Sequence, residues 1–406
     1  MNENLLDNNK SYFLKIIEAF VKGTVAFECD DSVDWNIIYK LSVVHSLQSV
    51  IYIEAKKMGL NLPEKINEKL KNDFLKITQN SVMQEMGMKN VINTLNLHGI
   101  KHILYKGYIL RNYYPVPEAR TMGDIDFLIQ QVDREKSDKA LKEIGFEYCK
   151  EESDELVWNY MNPMVYLEVH TNLIHQMTFS GTDYGAYFSD VWSHLTHKEN
   201  MTYELKKEYH FIYILVHLAK HFYHIGAGIR MFLDVCLFTR YYKNDLDWEQ
   251  IITELKKIKL YDFAINVFSI CNHFLGADIP YGKEFTESEY EILDYVLDIG
   301  VFGHNRESKN FYSISFGTST AGKKGIRGFY NKICVFFKLV FPAASSQLPP
   351  GESKWKLPLA WVKRWIKIFT TNRHLLGKQL NGVFGENKEA VYHKKILGEL
   401  GLDNEG

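Results

Sequence analysis

Between Gly99 and about residue 175 the chain changes texture. Short apolar runs bounded by turn residues alternate there with helix-period stretches, whereas the segments on either side keep a three-and-four apolar spacing. This constrains the fold most, because strands alternating with helices build a small mixed α/β unit and the flanking periodicity builds helices. IKHILY, residues 100–105, reads as a strand, Lys106 and Gly107 as its turn, and YILRNYY as a helix that Pro115 and Pro117 end. GDIDFLI, residues 123–129, alternates with period two. DREKSDKALKEIGF then reads as a helix capped by Asp133 and stopped by Gly145, with FEYC (146–149) and MVYLEVH (164–170) as further strands.

Upstream, Phe13, Ile16, Ile17 and Phe20 set a helical pattern, LNLPEK (60–65) breaks it, and a long helix is expected from about Pro63 to Leu97, ending at Gly99. Beyond Lys206 the pattern is helical again, with Asp247 as a cap for DWEQIITELKKIK. FGTSTAGKKG (316–325) and FPAASSQLPPGE (341–352) divide this part. ICVFFKLVF, residues 333–341, is about half the roughly 20 residues a membrane-spanning helix needs and contains Lys338, so it is expected to be a core helix and no membrane span is expected.

With 406 residues, 46% of them hydrophobic, the chain can bury more than one core. Its net charge of -2, with no run of like charges beyond a few residues, argues against a long nucleic acid as partner. Cys29, Cys149, Cys236, Cys271 and Cys334 form no CxxC pair and are odd in number, which argues against a disulfide framework or a cysteine zinc site and for buried thiols. MNENLLDNNKSYF lacks the layout of a secretory signal. A cytoplasmic location is the expectation.

Asp124 and Asp126 are two apart in a strand pattern, so both face one way while Ile125 and Phe127 pack on the other. Carboxylates this close repel unless a cation sits between them, and hard oxygen donors suit Mg²⁺ or Mn²⁺. The string alone is common, and by itself it favours two solvated carboxylates at a strand end over a metal site. Glu168 adds a third acid between apolar neighbours, and His170 shares its strand face. His217, His221 and His224 have zinc-compatible helical spacing but lack an HExxH arrangement, and such a stripe is more often core. Lys323, Lys324, Arg327 and Lys332 beside GKKG read as a solvated charged face, and the P-loop spacing is missing.

LYKGYIL, PEARTMGDIDFLI, YLEVHTNL and LVHLAKHFYHIGAGIRMFLDV, in that order, resemble a bacterial family of uncharacterised nucleotidyltransferases within the DNA polymerase beta-type superfamily. The resemblance implies an α+β fold: a minimal mixed-sheet nucleotidyltransferase core at 85–200, between helical regions at 1–84 and 201–406. It implies Mg²⁺-dependent or Mn²⁺-dependent transfer of a nucleoside monophosphate from an NTP to an acceptor. Asp124, Asp126 and Glu168 would be metal ligands and catalytic carboxylates. Lys106, Gly107, Arg120 and Gly123 would bind nucleotide, and His170, His217, His221, Arg230 and Asp234 would face the cleft. Arg230 and Asp234, four apart, also suit a simple ion pair, and Arg120 a salt bridge to Glu118 or another acid. Tyr108 follows Gly107 where the superfamily usually has a small residue, which leaves open a degenerate, nucleotide-binding or scaffold version of the fold.

Overall fold

The computed structural model describes residues 6–23, 32–150, 152–153, 157–174, 177–300, 325–342, 354–370, 377, 380, 383–384 and 388–402. Cys29, Lys323, Lys324, residues 316–324 of the glycine-rich loop and residues 343–352 of the proline-rich break lie outside them. The chain divides into two compact units, the first drawn mainly from Met1–Ala219 and Gly228–Val301, the second from Lys220–Ala227 and Phe302–Asp403.

In the first unit, α1 (Asn8–Lys22), α2 (Trp35–Val44) and α3 (Gln48–Lys57) precede the long α4 (Glu64–Leu97). Asp7 caps α1 through its carboxylate, and Phe13, Ile16, Ile17 and Phe20 form its buried stripe. α4 stops where expected: Gly99 takes φ +60°, and the Ile100 N–H reaches back to the Leu95 carbonyl.

The core is a seven-stranded mixed sheet in the order β3-β4-β5-β2-β1-β9-β8. Its strands are β1 (His102–Leu104), β2 (Ile125–Ile129), β3 (Glu147–Tyr148), β4 (Val157–Met161), β5 (Tyr166–His170), β8 (Leu195–Glu199) and β9 (Thr202–Leu205). A separate two-stranded ribbon pairs β6 (Thr178–Phe179) with β7 (Thr182–Asp183). β2 runs antiparallel to β1 and parallel to β5, which sets Asp126 opposite Glu168 and Leu128 opposite His170. Ile125, Phe127 and Ile129 of β2 and Leu167 and Val169 of β5 belong to one apolar core with Met88, Val91 and Leu95 of α4, and Ala140 and Leu141 of α6 (Arg134–Glu143). Period-two alternation therefore leaves Asp126, Glu168 and His170 on the other face. Gly87 allows α4 this close, since a Cβ there would lie 2.2 Å from a Val165 methyl.

Two local expectations change. Asp133 stands at the N-cap position of α6 but makes no side-chain cap bond, because Gln131–Asp133 already forms a 3-10 turn and its backbone is helical. Strands β4, β6, β7, β8 and β9 are additions to the strands that the sequence pattern marks. Asp247 does cap its helix, accepting from the Gln250 N–H at 2.9 Å.

After the short α7 (Tyr184–Tyr187), α8 (Lys207–His224), α9 (Ile229–Tyr242), α10 (Trp248–Lys257), α11 (Tyr261–Leu275) and α12 (Glu287–Ile299) follow. Cys236 and Cys271 are buried thiols, as expected, whereas Cys149 and Cys334 are only half-buried. The second unit includes α13 (Gly325–Val340), α14 (Leu357–Thr370) and α15 (Lys388–Glu399). ICVFFKLVF forms a helix there but not a core one: Val340 is buried, whereas Phe337 and Phe341 are exposed. Among the described residues no helix is long and apolar enough to cross a membrane.

Candidate active site

The site begins where β1 turns into α5 (Lys106–Leu110). Lys106 adopts φ +51°, a left-handed conformation that costs a non-glycine residue energy and is held by what its side chain does. Its ammonium bonds the Asp126 carboxylate across the turn and has the Tyr213 hydroxyl as a second partner. Burial alone would lower the Lys106 pKa, but the negative charge of Asp126, with Tyr213 and Glu168, outweighs it and raises it.

Asp126 also meets His170 Nε2 at 2.8 Å, and the same nitrogen lies 3.3 Å from a Glu168 oxygen. Burial pushes the Asp126 carboxyl up, and Lys106 and His170 together pull it further down, so it stays ionised. Asp126, Glu168 and His170 each offer a ligand atom within 4.8 Å of the others, and among the described residues they are the one such group of three. Asp124 is outside that set. It sits one residue before β2 with its side chain open to solvent. The protein wall behind it and the like charges of Asp126 and Glu168 raise its pKa, against Lys106. Around Gly123 the space is open: a Cβ there would meet nothing within 4 Å.

The arginines divide differently from the sequence expectation. Arg120 donates through Nε and Nη2 to the two oxygens of Asp234, each at 2.8 Å, and Tyr114 donates to the same carboxylate at 2.8 Å. The acid that holds Arg120 is thus Asp234 on α9, which pairs with Arg120 and not with Arg230. Gly107 makes room for this fork, because a Cβ there would lie 2.7 Å from Arg120 Nη1. Arg230 spends one nitrogen, Nη1, on the Thr121 hydroxyl at 2.7 Å and carbonyl at 3.3 Å, while its buried Nε has no partner. Burial and the neighbouring Arg120 charge lower its pKa, with Asp234, Tyr114 and Asp124 opposing.

Tyr108 turns into the core and its hydroxyl bonds Glu85 of α4. His217 stacks on Tyr213 with ring centroids 5.9 Å apart, whereas His221 falls in the second unit. Two site neighbours escaped the sequence reading. The Tyr105 ring packs edge-on against His170 and Tyr213, at 6.0 and 5.6 Å, with its hydroxyl buried and unpartnered. Tyr213 contacts Lys106. Neither carries a local signal, since an aromatic residue in an apolar stretch reads as core. A cavity of about 640 Å³, lined in part by Tyr187, Asp190, His194, Tyr209 and Lys257, includes none of the expected site residues.

A turn that opens a helix, an acidic-apolar-acidic strand start and a further acid on the parallel neighbour are thus assembled at one place on the sheet. The chain belongs to the family described as uncharacterised nucleotidyltransferase, whose sequence model matches residues 31–276. No curated protein and no solved structure matches the chain.

Proposed function

We propose that the protein moves a nucleoside monophosphate from an NTP to an acceptor hydroxyl with a divalent cation. The observation that supports this best is the convergence of Asp126, Glu168 and His170 on neighbouring parallel strands, beside the open space at Gly123. These donors fit such an ion: the carboxylates of Asp126, Glu168 and Asp124 suit Mg²⁺, and the imidazole of His170 brings Mn²⁺ within the same site's range. When bound, the cation supplies charge neutralisation at the phosphates and alignment for in-line displacement.

The chain's own groups do the rest. Glu168, with its side chain 27% exposed, is placed to accept the proton of the attacking hydroxyl. That oxygen bonds the α-phosphorus while the bond to the bridging oxygen breaks and pyrophosphate leaves. Arg230, with guanidinium donors to spare beside Asp124, takes the triphosphate-gripping role, and Arg120, held by Asp234, positions the turn at Gly107. Lys106 keeps Asp126 ionised and oriented. The acceptor classes this suits are a small molecule, a sugar derivative or a protein hydroxyl.

Each of the four NTPs, labelled at the α-phosphate, is incubated with the protein, a panel of such acceptors and Mg²⁺ or Mn²⁺. Transfer of label and release of pyrophosphate, both lost in Asp126→Asn, support the reading. Label transfer that survives in Asp126→Asn contradicts it.

A further inference from the structure

We infer that the helices α13 and α14 dock on an anionic lipid surface. In a chain of net charge -2, residues 323–370 hold ten Lys and Arg and a single acid, Glu352. Within that segment α14 separates two faces. Trp361 Nε1, Arg364 Nη1 and Trp365 Nε1 donate to the carbonyls of Pro342, Leu339 and Val340, at 2.9, 2.9 and 3.2 Å, satisfying carbonyls at and just past the C-terminal end of α13. The other face carries Leu359, Val362 and Ile366, spaced i, i+3 and i+7, so they form one stripe along the helix, and Trp355 stands on the 3-10 turn Lys354–Lys356 just before it.

All four are exposed, Trp355 at 92%, and so are Phe337 of α13 and Phe341 just after it. Lys356 and Lys363, seven apart and both exposed, run beside the stripe. An apolar stripe of Trp and aliphatic residues flanked by lysines is the composition of a helix that lies in a membrane interface, where the apolar side enters the acyl boundary and the ammonium groups meet lipid phosphates. With 14 residues α14 is too short to span a bilayer, so it lies on the surface. The basic excess is what selects an anionic lipid face as the occupant over a second copy of this chain, whose matching face would repel it.

The test uses the full chain and vesicle flotation, with vesicles of phosphatidylcholine alone or of equal parts phosphatidylcholine and phosphatidylglycerol. Binding to the anionic vesicles only, weakened roughly tenfold or more in Leu359→Ser/Val362→Ser/Ile366→Ser, is expected. These side chains are exposed, and an unchanged circular dichroism spectrum and melting temperature verify that the variant folds. A second variant, Lys356→Glu/Lys363→Glu, is expected to lose binding to the anionic vesicles with its fold likewise intact. No binding by wild type, or binding that both variants retain, overturns the inference. So does dimerisation without lipid, measured by sedimentation, that the triple variant abolishes, because the stripe would then belong to a second copy.

Discussion

Arg120 and Asp234 face each other as a two-pronged pair, Nε to Oδ1 and Nη2 to Oδ2 at 2.8 Å each, although 114 residues separate them in sequence. Both are buried, at 8% and 5% exposure, so breaking the pair leaves an uncompensated charge. Arg120→Ala and Asp234→Ala should each destabilise the protein by about 3 kcal/mol or more, and Arg120→Lys by less but measurably, because an ammonium cannot reproduce the fork. Urea unfolding of the three variants checks this.

Gly107→Ala places a methyl group 2.7 Å from Arg120 Nη1 and must push that guanidinium off Asp234. The cost should be about 1–3 kcal/mol, typical of overpacking, and most of it should vanish in an Arg120→Ala background. A double-mutant cycle by urea unfolding gives the coupling directly, and additive effects would show that the glycine serves something other than this close approach.

Arg230 bonds Thr121 through Nη1 and keeps a buried, unpartnered Nε near Asp124. Arg230→Ala should therefore weaken NTP binding by roughly tenfold or more, in line with the loss of a charge-assisted hydrogen bond to phosphate. Arg120→Lys should disturb stability more than affinity. Isothermal titration of the two variants with the same NTP separates the roles, and equal losses of affinity would contradict the division.

Acid should destabilise the fold through two histidines buried as neutral rings. Burial pulls His45 down to about 4, against the Leu297 carbonyl and Asp298, while Arg230 and Lys10 lower it further. Burial alone pulls His210 down to about 3. In the unfolded chain each titrates near 6.5, so as pH falls below that value the unfolded state binds protons that the folded state refuses. Their contribution is complete above about pH 6.5 and is lost progressively toward pH 4 and below. Melting temperatures measured from pH 7 to 4 should fall, with a shallower slope in His210→Gln than in wild type.

Much of the central unit was legible because its signals are local. The alternation of Ile125, Asp126, Phe127 and Leu128 gives the strand and its two faces, and Gly99 and Gly145 end their helices at φ +60° and +84°. β8 was hidden because it is an exposed, polar edge: LTHKE has no apolar alternation to mark it. The pairing of β1 with β9 joins residues about a hundred apart and leaves no local trace. The same is true of the site. Asp126 and Glu168 could be placed on strands, but that His170 would reach both carboxylates depends on the parallel register of β2 and β5. The sequence offers Arg120 a phosphate or an acid as partner and cannot single out Asp234, which lies on α9 114 residues away, and it gives no sign that Glu85 of α4 takes the Tyr108 hydroxyl.

The central claim is that Asp126 and Glu168 hold a divalent cation against a triphosphate. Calorimetric titration of each NTP into wild type, Asp126→Asn and Glu168→Gln, with and without Mg²⁺ or Mn²⁺, tests it most directly. The account predicts binding of at least one NTP by wild type that requires the cation and is lost in both variants. Binding of the same strength without a cation, or unchanged in the variants, would contradict it.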